Sequence, residues 1–477
     1  MQPSNWQPVF TRVMLPLVAA LLLNLTPVPH RVAHNFHAAG RAIQVHRPDK
    51  AAQYLRAVAD AQPWRSELWV SIAEYEFAYG AWKGAIQAFE YARELGLLSH
   101  VHLLDLGEAY YQAGQPQAAL GVWSALYGTA AADDELYARM VAVQRSLGLV
   151  TEQIETLEHW LAHSPQNADA LYALGVLLAV DEPQRSVALL QQVAAENPVL
   201  TARIGALVSA LKEAGEADIE SYRLLQTGRA LGSAGEWEIA HTAFLKAVEA
   251  DSQYAEAWAF LAEANQQLGK PAWDSLQKAN DLAPDGALVK ALTALYWRRQ
   301  NDPLQAIEML QQVIALEPHQ GIWLVEMGYA VAQTGDLFGA LEYFQQAVSL
   351  DPENPFHWRE LARFCLINNF ELRTIALPAA RRYLVLENNS SEALDIMGWV
   401  MLLLEDGISA KRYLLRAVET DSNNPSAHLH LGQLYLNEEN SYLAFVHLSL
   451  AAGLVQSDAQ ISTIARRLLE IYFPDSD

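Results

Sequence analysis

The sequence predicts an all-α protein, a solenoid of about twelve stacked helix-turn-helix hairpins closed by a C-terminal helix. Three observations predict it. One phrase recurs: GDLFGALEYFQQAVSLDPENP, from Gly335 to Pro355, returns as GAWKGAIQAFEYARELG from Gly80 and GEWEIAHTAFLKAVEAD from Gly235. Small residues sit at two fixed places in a frame of about 34 residues. Gly and Pro punctuate the same frame rather than clustering.

In this frame position 8 reads Ala39, Ala73, Gly107, Val141, Gly175, Gly228, Ala262, Ala294, Gly328, Ala362, Gly398 and Gly432. Position 20 reads Ala51, Ala85, Ala119, Gln153, Ser186, Ala240, Ala272, Ala306, Ala340, Ala376, Ala410 and Ala444. The frame runs one residue short near Pro183, two short near Lys270 and two long near Leu372. All three shifts fall at or just after turns, where a change of length costs least.

Apolar residues at positions 4, 7, 8 and 11 form one stripe on a first helix, and those at 20, 24 and 27 form one on a second. Gly near position 15, as at Gly80, Gly114, Gly148, Gly269 and Gly335, ends the first helix. Pro near position 32, as at Pro63, Pro165, Pro198, Pro284, Pro318 and Pro352, stops the second. One hairpin cannot bury both stripes, whereas stacked hairpins can.

Along the chain, residues 1–31 form an N-terminal apolar segment, and 32–200 hold a first block of repeats. Residues 201–220, TARIGALVSALKEAGEADIE, carry a first-helix stripe without a second helix, as a degenerate half-repeat or a junction. A second block spans 221–458, and 459–477 hold a capping helix and tail, with Arg466, Arg467 and Glu470 on its water-facing side.

The N-terminal run VMLPLVAALLLNLTPV, residues 13–28, has no charge, but a spanning helix needs about 20 apolar residues. An uncleaved membrane anchor, a cleaved export signal and a buried helix all fit it. Arg31, Arg41, Arg47 and Lys50 follow it while only Arg12 precedes it. An anchor would then leave the repeats in the cytoplasm. A cleaved signal would place them outside.

Net charge is −23. Residues 1–60 hold six bases against two acids, +4, which leaves −27 for the remainder. An acidic body repels phosphate backbones, so nucleic acid is not an expected partner. The single cysteine, Cys365, allows no intrachain disulfide or cysteine zinc site and falls at packing position 11.

These landmarks resemble the tetratricopeptide repeat motif, W-x2-L-G-x2-Y…A-x3-F…P, over about residues 32–458. The resemblance implies a right-handed superhelix whose concave groove, lined by first helices, binds peptides or helices of other proteins. It implies a scaffold or adaptor rather than an enzyme, with no cofactor. The alternative is an exported or envelope-associated receptor for a glycan or other non-protein ligand.

The sequence holds no phosphate-cradling glycine loop, nucleophile elbow or H-E-x-x-H. His159 and His163 lie one helical turn apart without a third ligand and read as surface residues, as do His30, His34 and His37. Trp69, Trp258 and Trp358 fall at position 4 and read as packing residues. By the family pattern, positions 2, 5, 9, 12 and 13 face the groove. Those positions offer Phe77 and Tyr111 among acids such as Glu74 and Glu108, then Arg298, Arg299, Arg359 and Arg363, and Trp399. Arg359 and Arg363 share a helix face, where two arginines can grip an acidic or carboxylate-bearing ligand. The family's chaperone clamp, Lys at position 5 with Asn at 9, is absent: Val70, Leu104, Ala138 and Tyr172 occupy the first site.

Overall fold

Helix follows helix in the computed structural model, which describes residues 30–196, 198–454 and 459–474, with side chains outside 195–203 and 459. No strand occurs among the described residues. The apolar run 13–28 lies outside them. Among the described residues, no helix is long and apolar enough to cross a membrane.

The chain divides into two compact units, 1–174 and 175–477. The first holds hairpins α1 (His30–Gln44) with α2 (Pro48–Ala61), α3 (Leu68–Ala78) with α4 (Trp82–Glu94), α5 (His100–Gln112) with α6 (Pro116–Trp123), and α7 (Asp134–Ser146) with α8 (Val150–His163). Helix α9 (Ala168–Leu178) carries the boundary, and its last turn packs with α10 (Pro183–Glu196). A single helix without a hairpin partner follows, α11 (Pro198–Gly215), packed between α10 and α12.

Hairpins then resume with α12 (Glu220–Ser233) and α13 (Trp237–Ala250), α14 (Ala255–Gln267) and α15 (Trp273–Leu282), and α16 (Ala287–Arg299) and α17 (Pro303–Leu316). They continue with α18 (Gly321–Gln333) and α19 (Leu337–Leu350), α20 (Pro355–Ile367) and α21 (Leu377–Leu386), and α22 (Ser391–Leu403) and α23 (Gly407–Thr420). The last pair is α24 (Pro425–Asn437) and α25 (Ser441–Gly453), against which α26 (Ala459–Tyr472) packs.

Position 8 sets the distance between the two helices of a hairpin. A Cβ added to Gly228 would lie 2.4 Å from Phe244 Cε1, and one on Gly328 would lie 2.7 Å from Phe344 Cε2. Gly107 stands in the same way against Trp123, and Gly398 and Gly432 against Leu414 and Leu448. The large residue is always the one at position 24. Position 20 closes the same seam: Ala85, Ala119, Ala240, Ala306 and Ala340 are wholly buried. Where Ser186 replaces Ala, its hydroxyl donates to the Gly175 carbonyl at 2.6 Å, so the seam tolerates the polar atom.

At position 4, two tryptophans tie their hairpins to the preceding turn. The Trp258 indole N–H donates to the Ser252 carbonyl at 3.0 Å and that of Trp358 to the Pro352 carbonyl at 2.8 Å. Both rings pack against core clusters, as their frame position predicts. Cys365 is buried in the core of this region, and burial pushes its thiol pKa up to about 12.

The frame shifts have visible structural counterparts. The two extra residues near Leu372 are absorbed by a π-helical turn, Leu372–Ala376, entered through Glu371 in the left-handed region at φ 48°. The two missing residues near Lys270 leave α15 with 10 residues where most second helices have 13 or 14.

Position 15 ends most first helices in the left-handed region. Gly fills it at Gly80, Gly114, Gly148, Gly235, Gly269 and Gly335, whereas Glu405 and Glu439 adopt it at φ 63° and 57°. A Cβ in that region costs about 1–2 kcal/mol, partly offset by the entropy glycine loses on folding. Glu405→Gly and Glu439→Gly should therefore each stabilise the chain by about 0.5–1 kcal/mol, read as a raised urea midpoint. An unchanged or lowered midpoint contradicts this.

Candidate functional site

The first helices of the second unit are joined edge to edge by at least one polar or cation–π contact per neighbouring pair. Arg229 of α12 lies over the Phe260 ring of α14 at 5.2 Å. Arg299 of α16 grips Glu263 of α14 through two bonds of 2.6 and 2.8 Å. Arg298 of α16 reaches Glu326 of α18 at 3.2 Å and lies over Tyr329 at 5.5 Å. The Tyr329 hydroxyl donates to Glu360 of α20 at 2.5 Å. Arg359 of α20 binds its neighbour Glu360 at 2.7 Å and approaches Glu392 of α22 at 3.6 Å. His430 Nδ1 of α24 meets Asp395 Oδ1 of α22 at 2.7 Å.

Most of these groups are buried, and burial costs a charged group dearly unless it is paired. Glu263, Glu360, Asp395 and His430 are all less than a tenth exposed. Burial pushes the Glu326 carboxyl pKa up, and Arg298 opposes it. Burial and then Glu360 push the Tyr329 phenol up. These contacts therefore fix how successive hairpins stack, since the buried partners are satisfied only in one register.

This arrangement sorts the sequence candidates. Arg298 and Arg299 are engaged by carboxylates of neighbouring helices, and Arg359 by Glu360 of its own helix and Glu392 of α22. The expected Arg359–Arg363 pair is thus not a pair: Arg359 is tied down, whereas Arg363 is exposed and forms no ion pair among the described residues. Phe77 packs edge-on against Trp82 at 5.5 Å within the first unit's core. Tyr111 is partly exposed, 6.2 Å from Trp123.

Arg363 lies at the rim of a groove of about 400 Å³ that the second unit forms between α20, α22, α24 and α26. Trp399 is in its wall, its indole stacked on the His430 ring at 4.7 Å and 23°. His430 is itself held by Asp395, so the indole plane is fixed through a buried contact. Ile367, Ile396, Ile461 and Ile464 line the groove with the Gln433 amide. The arrangement offers a slot with apolar and aromatic walls that also carries the Glu392 and Asp395 carboxylates, with the Arg363 guanidinium at its edge.

A second, wider groove, of about 600 Å³, lies between α11, α12, α14 and α16, with Tyr222, Gln226, Arg229 and Phe260 in its walls. The unpaired helix α11 supplies one side through Ala210, Glu213 and Ala214.

In the buried His430–Asp395 pair, Asp395 falls at position 5, but its partner His430 falls outside positions 2, 5, 9, 12 and 13. Its signal is position 6, between the packing positions, where Asp105, Glu326, Glu360 and His430 recur. His159 stacks on Tyr127 at 4.3 Å and His163 lies tilted over Tyr137 at 6.1 Å. Among the described residues, no cluster of three or more His, Cys, Asp or Glu side chains is placed to hold a metal.

The family model described as tetratricopeptide repeat matches residues 225–287 and 291–355, the stretch from α12 into α20. Residues 225–287 and 291–355 are tetratricopeptide repeats. The hairpins on either side of the matched tetratricopeptide repeats carry the same position-8 and position-20 seam. Among solved structures, yeast Tom70 aligns at 14% identity over 93% of this chain and 97% of its own, with a TM-score of 0.43. Cut9, solved with Hcn1 as an APC/C hetero-tetramer, aligns at 15% identity over 92% and 97%, also at 0.43. PilW, a type IV pilus biogenesis factor, aligns at 20% identity over 44% and 96%, at 0.37. TM-scores this low do not bear on what this chain binds. No curated protein matches the sequence.

The indole of Trp399 depends on His430, and His430 on Asp395. Asp395→Leu removes the carboxylate but not the volume, leaving His430 Nδ1 buried without that partner at a cost of about 1–3 kcal/mol. The expected outcome is a lowered urea midpoint together with a red-shifted, more quenchable Trp399 fluorescence. A Trp399→Phe control identifies that tryptophan's share of the signal, and an unchanged spectrum contradicts the linkage.

Proposed function

We propose that this tetratricopeptide-repeat chain is a non-enzymatic protein-interaction scaffold whose first-helix faces hold segments of partner proteins. Within it, the groove of α20, α22, α24 and α26 takes a segment that ends in, or carries, a carboxylate beside an apolar side chain. The observation that supports this is Arg363: the neighbouring arginines are neutralised by carboxylates of the fold, and this one faces an aromatic slot unneutralised. A guanidinium with open fork geometry pairs well with a carboxylate. The apolar wall of Trp399 and Ile464 supplies the desolvated surroundings in which that pair gains strength.

The apolar run 13–28 belongs to the same proposal as a tether that would hold the scaffold at a membrane. Cell fractionation with protease protection tests that part independently of the groove.

Arg363→Glu reverses the rim charge at an exposed position, so folding is expected to be retained. Crosslinked capture with the tagged full chain should then lose the partners that wild type retains, and Arg363→Lys should keep a part of them. Unchanged capture by Arg363→Glu would sink the groove assignment. Arg359→Glu is the wrong test, because it breaks the contacts to Glu360 and Glu392.

A further inference from the structure

Position 18, near the start of each second helix, changes character along the chain. In the first seven repeats it is polar or charged, from Asp49 and Lys83 to Glu238 and Lys270. In repeats eight, nine, eleven and twelve it is Leu304, Phe338, Ile408 and Tyr442. These four are among the most exposed large apolar side chains, at 71%, 69%, 89% and 76%. In repeat ten the position is Thr374, but Phe370 of the same turn packs edge-on against Phe338 at 5.0 Å and keeps the row apolar. The earlier repeats show that the hairpin does not need an apolar residue here. A row of exposed apolar side chains on one edge is the mark of an interaction surface.

The surroundings of the row identify what covers it. The five turns that carry it hold Asp302, Asp336, Glu371, Glu405, Asp406, Glu438 and Glu439, opposed by Arg373 and by Lys411 of α23, which pairs with Glu438 at 2.9 Å, so the fringe stays net acidic. The Ser409 hydroxyl and then its backbone N–H, which Asp406 accepts as a helix cap, hold the Asp406 carboxyl below the usual range and therefore ionised. An anionic membrane surface would be repelled by this fringe. A second copy would bring the same acids against themselves. A segment with lysine or arginine between apolar residues complements both features at once.

We propose that the turn edge of repeats eight to twelve is a docking surface for a basic amphipathic segment of a partner protein. The segment's apolar face covers Leu304, Phe338, Ile408 and Tyr442, and its cations meet the acidic turns. This surface is separate from the groove at Arg363 and does not depend on it.

The test uses the full chain and a synthetic helical peptide of leucine and lysine, with its leucine–glutamate counterpart as control, read by fluorescence anisotropy. The quadruple variant Leu304→Gln, Phe338→Gln, Ile408→Gln and Tyr442→Gln keeps the net charge, so nonspecific attraction is unchanged. Binding of the basic peptide should fall by about tenfold or more in that variant and stay unchanged in Arg363→Glu. Equal binding by the quadruple variant, or equal binding of the acidic peptide, overturns the proposal. So does finding that the row instead drives binding to anionic vesicles or self-association of wild type in sedimentation. If the quadruple variant loses helicity, Ile408→Gln with Tyr442→Gln carries the same test, with about a threefold fall expected.

Discussion

A side chain at position 24 of each hairpin lies where the Cβ of position 8 would extend. Against Gly107, Gly228 or Gly328, a Trp or Phe ring fills the space that any larger residue would claim. Protein interiors are close-packed, so this one fit sets the spacing of the two helices and the direction in which the next hairpin presents its stripe. Ala at position 20 closes the seam from the other side. The remaining landmarks follow from it: the left-handed residue at position 15 turns the chain back in time for the contact, and proline limits the second helix before the next begins.

Packing of this kind repeats, so it is poor at telling one repeat from another. The polar contacts between first helices vary in chemistry and in position from junction to junction. A guanidinium–carboxylate fork joins α14 to α16, a phenol–carboxylate bond joins α18 to α20, and an imidazole–carboxylate bond joins α22 to α24. Buried polar pairs add little stability over apolar ones, but they are satisfied only by their own partners. Each junction is thereby specified individually on a scaffold whose seams are nearly identical.

The fold was legible because its signals are local and periodic. Gly228 and Ala240 report the hairpin seam directly, since nothing else explains small residues at those two places in so many repeats. Length changes were legible too, and Leu372–Ala376 shows how one is absorbed. The site was less legible because pairing across a junction is not periodic. Arg359 and Arg363 look equivalent on one helix face, yet Glu360 and Glu392 lie beside only the first. Position 6 hid a similar distinction: Glu360 and His430 sit between packing positions, and only the neighbouring helix shows that they are buried. The apolar run at 13–28 remains a sequence expectation.

Shared positions build this molecule, and Arg298, Arg299 and Arg359 are spent inside it, whereas Arg363 forms no ion pair among the described residues. Urea unfolding of four single variants, followed by helical circular dichroism, tests that division most directly. Arg298→Ala, Arg299→Ala and Arg359→Ala should each lower the midpoint, because each leaves a buried carboxylate without its cation, whereas Arg363→Ala should leave it in place. A midpoint that falls as far for Arg363→Ala as for the others, or that none of the four moves, would contradict the account.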